Sequence, residues 1–310
     1  MDELANLRPH GIFLRSDVLA AGYDDRVLYQ ALARGSLTRV RHGAYVASPL
    51  WGSASDPEKH LLRAHAAALT HKPEFALSHV TGSLLHGVTS WGVALDRIHV
   101  SREACTVGRK HRDITYHRES VEDVGLIHGS PVLPAATCLL GAARLCGVEA
   151  GTVLLDSAYE QGICTPEDIR AEFDKHRGWP GTARLQLTLR LAQPGSQSVG
   201  ESRMRYLFWR AHLPRPVLQY VVRHRGSIVG ISDFAWPEYR LLGEFDGRVK
   251  YKELLHPGED PSDAVFREKV REDRMREVTG WSFIRFTWAD LGDPARTARR
   301  VLDAMRRAGQ

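Results

Sequence analysis

Between Gly200 and Lys252 four acidic residues fall in an order that few folds accommodate. Glu201 opens a helix, Asp233 comes near the end of a hydrophobic strand, and Glu244 and Asp246 lie two apart on the next strand. Residues two apart on a strand point to one face, so Glu244 and Asp246 share a face and Phe245 takes the other. The link WPEYR predicts a hairpin turn, because Pro237 cannot continue a central ladder. The two strands are then antiparallel neighbours, with Ile228 and Ile231 in a buried first strand and Asp233 near Glu244. Carboxylates gathered this way repel one another unless a cation joins them. Oxygen ligands suit a hard cation such as Mg²⁺ (or Mn²⁺), with Asp233, Glu244, Asp246 and Glu201 as candidate ligands. Lys250 and Lys252 follow and suit an anionic substrate, a phosphodiester cleaved by metal-assisted hydrolysis. Gly247 breaks the alternation beyond Asp246, so which basic side chain reaches the site stays open. Glu201 also has a simpler reading, as an acid favouring a helix N-terminus.

A chain of 310 residues suits two or three domains. Its 43% hydrophobic and 25% charged content places it among ordinary globular proteins rather than disordered or membrane ones. No apolar run approaches the length of a membrane span, and MDELANLRPHG lacks the apolar core of a secretory signal, so a cytoplasmic protein is expected. Cys105, Cys138, Cys146 and Cys164 form no CxxC pair and read as reduced, small hydrophobes. A net charge of +5 is compatible with a nucleic-acid partner.

Residues 11–50 predict helix, turn, helix and hairpin. Ser16 or Asp17 caps a first helix that stops at Gly22. Asp24 and Asp25 start a second, which buries Val27, Leu28, Ala31 and Leu32 and ends at Gly35. Two strands then flank a turn at His42-Gly43. This order is that of a winged helix-turn-helix, whose second helix enters the major groove while the wing touches backbone. The candidate DNA-binding residues are Arg26, Tyr29, Gln30 and Arg34 on the helix, with Arg39, Arg41 and His42 on the wing. The segment resembles the N-terminal domain of AbiEi-family antitoxins of type IV toxin–antitoxin systems, through the run LTRVRHGAYV. That resemblance implies DNA as a partner and a cognate toxin as another. A palindromic site would call for a homodimer.

Residues 51–195 predict a helical middle domain with a small sheet built around DRIHVS and DITYHRE, like the body that follows the winged helix in AbiEi-like proteins. Thr165, with Pro166 behind it, predicts a helix start. His79 and His86 lie seven apart on one helical face without nearby acidic or cysteine partners, which is not a metal-site pattern. The run Arg109, Lys110, His111, Arg112 reads as a solvated loop or as a phosphate contact. QPGSQSVG, at 193–200, reads as a linker.

The last third, 196–310, resembles the PD-(D/E)XK nuclease superfamily, and more closely its very-short-patch-repair-endonuclease-like domains of actinobacterial proteins. The likeness rests on GESRMR, SDFAWP, EFDG, a charged helix near 263–279 and GWSFIRFTWADL, in that order. It implies catalytic roles for Glu201, Asp233, Glu244 and Asp246. The superfamily's usual lysine is here Asp246, so Lys250, Lys252, Lys269 or Arg271 stands in for it, or the site is impaired. Trp236 stacks on a base or packs at the rim. Phe266, Val270 and Val278 face the sheet, which leaves Arg267 and Arg271 for phosphates or for salt bridges to Glu268 and Glu272. The expected fold is α+β and multidomain, divided at 1–50, 51–195 and 196–310. The expected function is a Mg²⁺-dependent DNA endonuclease in phage defence or repair. The alternative is an antitoxin-like transcriptional regulator with an inactive nuclease fold.

Overall fold

Among the described residues three sheets organise the fold, and each collects one run of the sequence. The computed structural model describes residues 9–70, 75–103, 110–111, 113–121, 123–176, 182–247 and 261–308. The chain divides into two units: residues 1–154 with 161–187, and residues 155–160 with 188–310.

The first unit begins with β1 (Phe13–Leu14), α1 (Arg15–Ala20), α2 (Asp25–Ala33), β2 (Leu37–Arg41) and β3 (Ala44–Ala47). The strands form a sheet in the order β1-β3-β2, all antiparallel. Capping explains the boundaries. Asp24 accepts the Val27 N–H at 3.0 Å and starts α2. Asp17 sits inside α1 rather than at its cap, accepting the Leu14 N–H at 2.8 Å. Gly22, Gly35 and Gly43 all hold a positive φ, the backbone region open to glycine at no steric cost. Phe13, Val18, Leu28, Ala31, Leu37 and Tyr45 make the small core beneath.

After α3 (Ser48–Ser53), α4 (Asp56–Thr70), β4 (Ala76–Leu77) and α5 (His79–Leu85) comes a sheet of six strands. It adds β5 (Ile98–Arg102), β6 (Lys110–His111), β7 (Ile114–Arg118), β8 (Gly125–Ile127) and β9 (Ser130–Val132), in the order β6-β7-β5-β4-β9-β8. The small sheet expected around β5 and β7 is therefore larger, because short β4, β8 and β9 join it. Leu77, Val100, Ile114 and Leu133 fill its core. Helices α6 (Ala135–Leu145), α7 (Val148–Glu160), α8 (Pro166–Asp174) and α9 (Thr182–Leu191) follow. Thr165 caps α8 as expected, in a reciprocal box with Asp168.

The second unit's sheet takes α10 (Val199–Arg210), β10 (Val217–His224), β11 (Ser227–Trp236), β12 (Leu241–Asp246), α11 (Pro261–Thr279) and β13 (Ser282–Thr287). Its order is β10-β11-β12-β13, antiparallel except for the parallel pair β12–β13. On one face Phe208 of α10 meets Phe234, Trp236 and Phe286, with Val301 and Met305 of α13 (Pro294–Ala308), which follows the short α12 (Trp288–Gly292). Burying each such side chain stabilises by roughly 1.5–3 kcal/mol. On the other face Met275 of α11 packs on Val222, Ala235 and Leu242.

Several expectations change. The link between β11 and β12 is a 3₁₀ turn, Pro237–Tyr239, closed by Arg240 at a φ of 47°. β11 runs three residues past Asp233 before it turns. Ile228 and Ile231 are 56% and 40% exposed rather than buried, because this stretch of the β10–β11 hairpin leaves them uncovered. Val270 is 50% exposed, whereas Val278 packs on the sheet face as expected, beside Met275. Phe266 lies in the part of α11 whose side chains are outside the described residues.

Candidate nucleic-acid interface and carboxylate site

The hydrophobic spacing of α2 turns Leu28 and Ala31 inward and leaves Arg26, Tyr29, Gln30 and Arg34 exposed on its outer face. On β2 and the turn, Arg39 and His42 are exposed too. Arg41 differs. Its guanidinium is committed to an ion pair with Asp113, next to β7, which sets it apart from the exposed cations around it. Arg15 likewise pairs with Asp25, at 2.5 Å. The exposed set therefore presents Arg26, Arg34 and Arg39 with Tyr29, Gln30 and His42, a group able to meet phosphates and base edges.

In the second unit Asp233 and Glu244 are brought together. Pairing between β11 and β12 covers Trp236↔Leu241, Ala235↔Leu242 and Phe234↔Gly243, and stops there. Asp233 and Glu244 stand next along that register, where the strands part. The freed N–H of Phe245 donates to Asp233 Oδ2 at 2.8 Å. Glu244 is buried, and a guanidinium from α11 reaches it: Arg271 donates to Glu244 Oε1 at 2.7 Å and to the Ile231 carbonyl at 3.0 Å. Burial pushes the Glu244 carboxyl up to about 7. Arg271 opposes that rise, and the nearby negative charge of Asp233 adds to it.

Arg285 of β13 lies directly across from Glu244 in the parallel register and is held by Glu272 at 2.6 Å and Glu268 at 3.5 Å. So the helix acids pair with Arg285 (and Glu272 also with Arg276), while Arg271 serves the strand acid. The sequence raised Arg271 as a salt-bridge former but with the wrong partners. Arg285 carried a signal that was missed: it alternates with Ile284 and Phe286, so it must leave the aromatic face and join the carboxylate face.

Glu201 sits at the third position of α10, fully buried. Its Oε1 accepts from Ser198 Oγ at 2.8 Å and its Oε2 from the Gln197 N–H at 2.8 Å, a capping arrangement. Gln219 Nε2 also approaches Oε2, at 3.4 Å. Gln219 stands across from Asp233, between the pairs Leu218↔Phe234 and Tyr220↔Ser232, at a φ of 46°. Glu201 thus belongs to the same end of the sheet but serves chiefly to start its helix. Asp246 ends β12, half-buried. Lys250 and Lys252 lie outside the described residues. Trp236 is packed, with its indole N–H on the Pro214 carbonyl at 2.8 Å, which settles its role as core. Gly200 lets α10 approach the sheet, since a Cβ there would fall 2.0 Å from the Phe245 ring.

The oxygens are of the kind Mg²⁺ prefers, yet they do not fit that ion as they stand. Arg271 is seated on Glu244, the Phe245 N–H on Asp233, and the cap on Glu201. Among the described residues no three His, Cys, Asp or Glu side chains gather closely enough to hold a metal.

The sequence reading of the first unit's histidines changes in one point. His79 has an acidic neighbour after all, with Nε2 3.4 Å from Glu119 Oε1, and its ring stacks on His117 at 3.5 Å. His99 Nδ1 lies 2.8 Å from His117 Nε2. Burial lowers the His99 imidazole to about 4 and the His117 imidazole to about 3. The residues that gather here come from α5, β5 and β7, so spacing along one helix could not reveal them.

Comparison with known proteins bears on part of the chain. Residues 1–48 match a family described as "Transcriptional regulator, AbiEi antitoxin". The chain is also 30% identical, over 159 residues, to the uncharacterized protein Rv2248 of Mycobacterium tuberculosis strain H37Rv and to the uncharacterized protein MT2308 of strain CDC 1551. Those alignments take in 50% of this chain and 55% of each relative, so the chain spans about half the length of the curated relatives it matches. No helix among the described residues is long and apolar enough to cross a membrane.

Proposed function

We propose that this protein is a DNA-binding regulator of the antitoxin kind, with residues 9–47 acting as a winged helix-turn-helix. One observation carries the reading. The segment that matches the regulator family places Arg26, Tyr29, Gln30 and Arg34 on the open face of its second helix, beside Arg39 and His42. Arg41 works from behind, tying the wing to Asp113 rather than touching DNA. A cognate toxin is the partner that the family description suggests.

A second reading is kept for residues 196–310. Helix, three antiparallel strands, helix and a parallel fourth strand is an order that supports the likeness to a PD-(D/E)XK core, and Asp233 and Glu244 lie next to each other along the β11–β12 register. The seated Arg271 favours the inactive form of that fold, in which a guanidinium neutralises Glu244. One pair of assays separates the readings. Purified protein is mixed with DNA from its own upstream region, and in parallel with supercoiled plasmid and Mg²⁺ or Mn²⁺, each beside an Asp233→Ala variant. The regulator reading expects salt-sensitive binding and intact plasmid in both proteins. Nicking that disappears in the variant would replace it with the nuclease.

A further inference from the structure

A pocket of about 840 Å³ opens in the first unit, and its chemistry is divided. One part is apolar, lined by Ala47, Leu50, Leu61, Leu62, Leu84 and Leu85. The other gathers three imidazoles from distant parts of the chain: His10 from the turn before β1, His65 from α4, and His128 from the β8–β9 turn. The His10 and His65 rings stack at 4.0 Å, and His128 meets His10 edge-on at 4.8 Å. His65 is buried and its Nδ1 is satisfied by Ser130 Oγ at 2.7 Å, so its Nε2 is the atom left to address the pocket. His10 and His128 adopt φ values of 62° and 50°, a backbone region that non-glycine residues occupy sparsely and that recurs at ligand clamps.

We propose that this pocket is a binding site for a small apolar carboxylate, with the alkyl or aryl body against the leucines and the carboxylate among His10, His65 and His128. The volume lies within the range of small-molecule sites, and an apolar wall with a few convergent polar groups is their usual form. Charge decides the ligand's sign. The lining carboxylate, Glu58, accepts the Ser55 N–H and hydroxyl on one oxygen, each at 2.7 Å, and makes no ion pair with the three imidazoles. Burial and the neighbouring His10 and His128 hold His65 down to about 4, so the empty site keeps it neutral. A bound carboxylate reverses that pressure and draws in a proton. A transition metal is the wrong occupant, because stacked rings direct their nitrogen lone pairs along parallel planes instead of toward one point. The inference does not depend on DNA binding.

The test uses the full chain and two probes, octanoate and the fluorescent apolar anion 1-anilinonaphthalene-8-sulfonate. The expected result is saturable probe fluorescence that octanoate displaces, tightening as pH falls from about 8 toward about 5, as the bound anion draws protons onto the imidazoles around it. His65→Gln should bind roughly tenfold more weakly, the loss expected for one charge-assisted hydrogen bond. His128→Asn lies at the exposed turn, tolerates its φ and should weaken binding in the same direction without disturbing the fold. Failure of octanoate to displace the probe, wild-type affinity in both variants, or binding of Zn²⁺ in place of either anion would each overturn the proposal.

Discussion

The two units differ in how their buried titratable groups are held. The first encloses imidazoles that burial keeps neutral: His65, His79, His99 and His117 all titrate below the ordinary histidine value. In the second, two buried carboxylates are matched to arginines, Glu244 to Arg271 and Asp156 to Arg205 at 2.5 Å, while Glu201 and Asp233 accept from N–H and O–H groups. Burial pushes the Glu244 and Asp156 carboxyls up, to about 7 and about 6. The difference teaches that a cluster of acids need not announce a metal. An acid row and a set of arginines arriving from the next helix and strand can complete one another.

The largest test of this contrast is pH. In the first unit the folded imidazoles are depressed, so unfolded chain takes up protons below about 6.5 that folded chain refuses. Stability present above that value is lost as pH falls toward 4, by on the order of 2–3 kcal/mol for each of His65, His99 and His117. In the second unit the raised carboxyls act the other way: stability present below about 4 falls as pH climbs through 6 to 7. Calorimetry at about pH 7.5 and about pH 5, with hydrogen exchange to assign the transitions, should move the first unit's melting down and the second's up. Movement of both in one direction would break the contrast.

Next in size is Gly200→Ala. A methyl 2.0 Å from the buried Phe245 ring cannot be accommodated without shifting α10, at a cost of about 3 kcal/mol seen in urea unfolding of the second unit. The first unit should keep its own transition. Arg271→Ala sharpens the comparison further. It leaves Glu244 buried without its guanidinium and should cost about 1–2 kcal/mol, less than a fully buried pair because Arg271 is partly exposed. Mg²⁺ should restore part of that loss if the acids can take a metal once the arginine is gone. Thermal melts with and without the ion give the answer.

How far these features were legible in the chain depends on how local they are. The caps at Asp24 and Thr165, the turn at Gly43 and the strand order around Asp233 and Glu244 could be read because each rests on a few neighbouring residues. The partners of those acids were harder to read. Arg271 lies 27 residues from Glu244, and α11 offers several cations at similar spacing, so the choice waits on how α11 packs over Gly230, where Met275 and Arg271 both lie close. Arg41 looked like a wing cation because its partner, Asp113, is 72 residues away. The imidazole stack and the histidine pocket join strands and helices far apart in sequence, and no periodicity reports them.

The regulator account stands or falls on how the N-terminal face meets DNA. Fluorescence anisotropy of a labelled upstream duplex, followed across salt, measures this for the wild type, Arg26→Ala, Arg34→Ala and Arg41→Ala. The account predicts that removing Arg26 or Arg34 weakens binding and lowers the logarithmic salt slope by about 1 each, whereas Arg41→Ala leaves the slope unchanged. Binding that ignores Arg26 and Arg34, or a slope that falls with Arg41 alone, would contradict it.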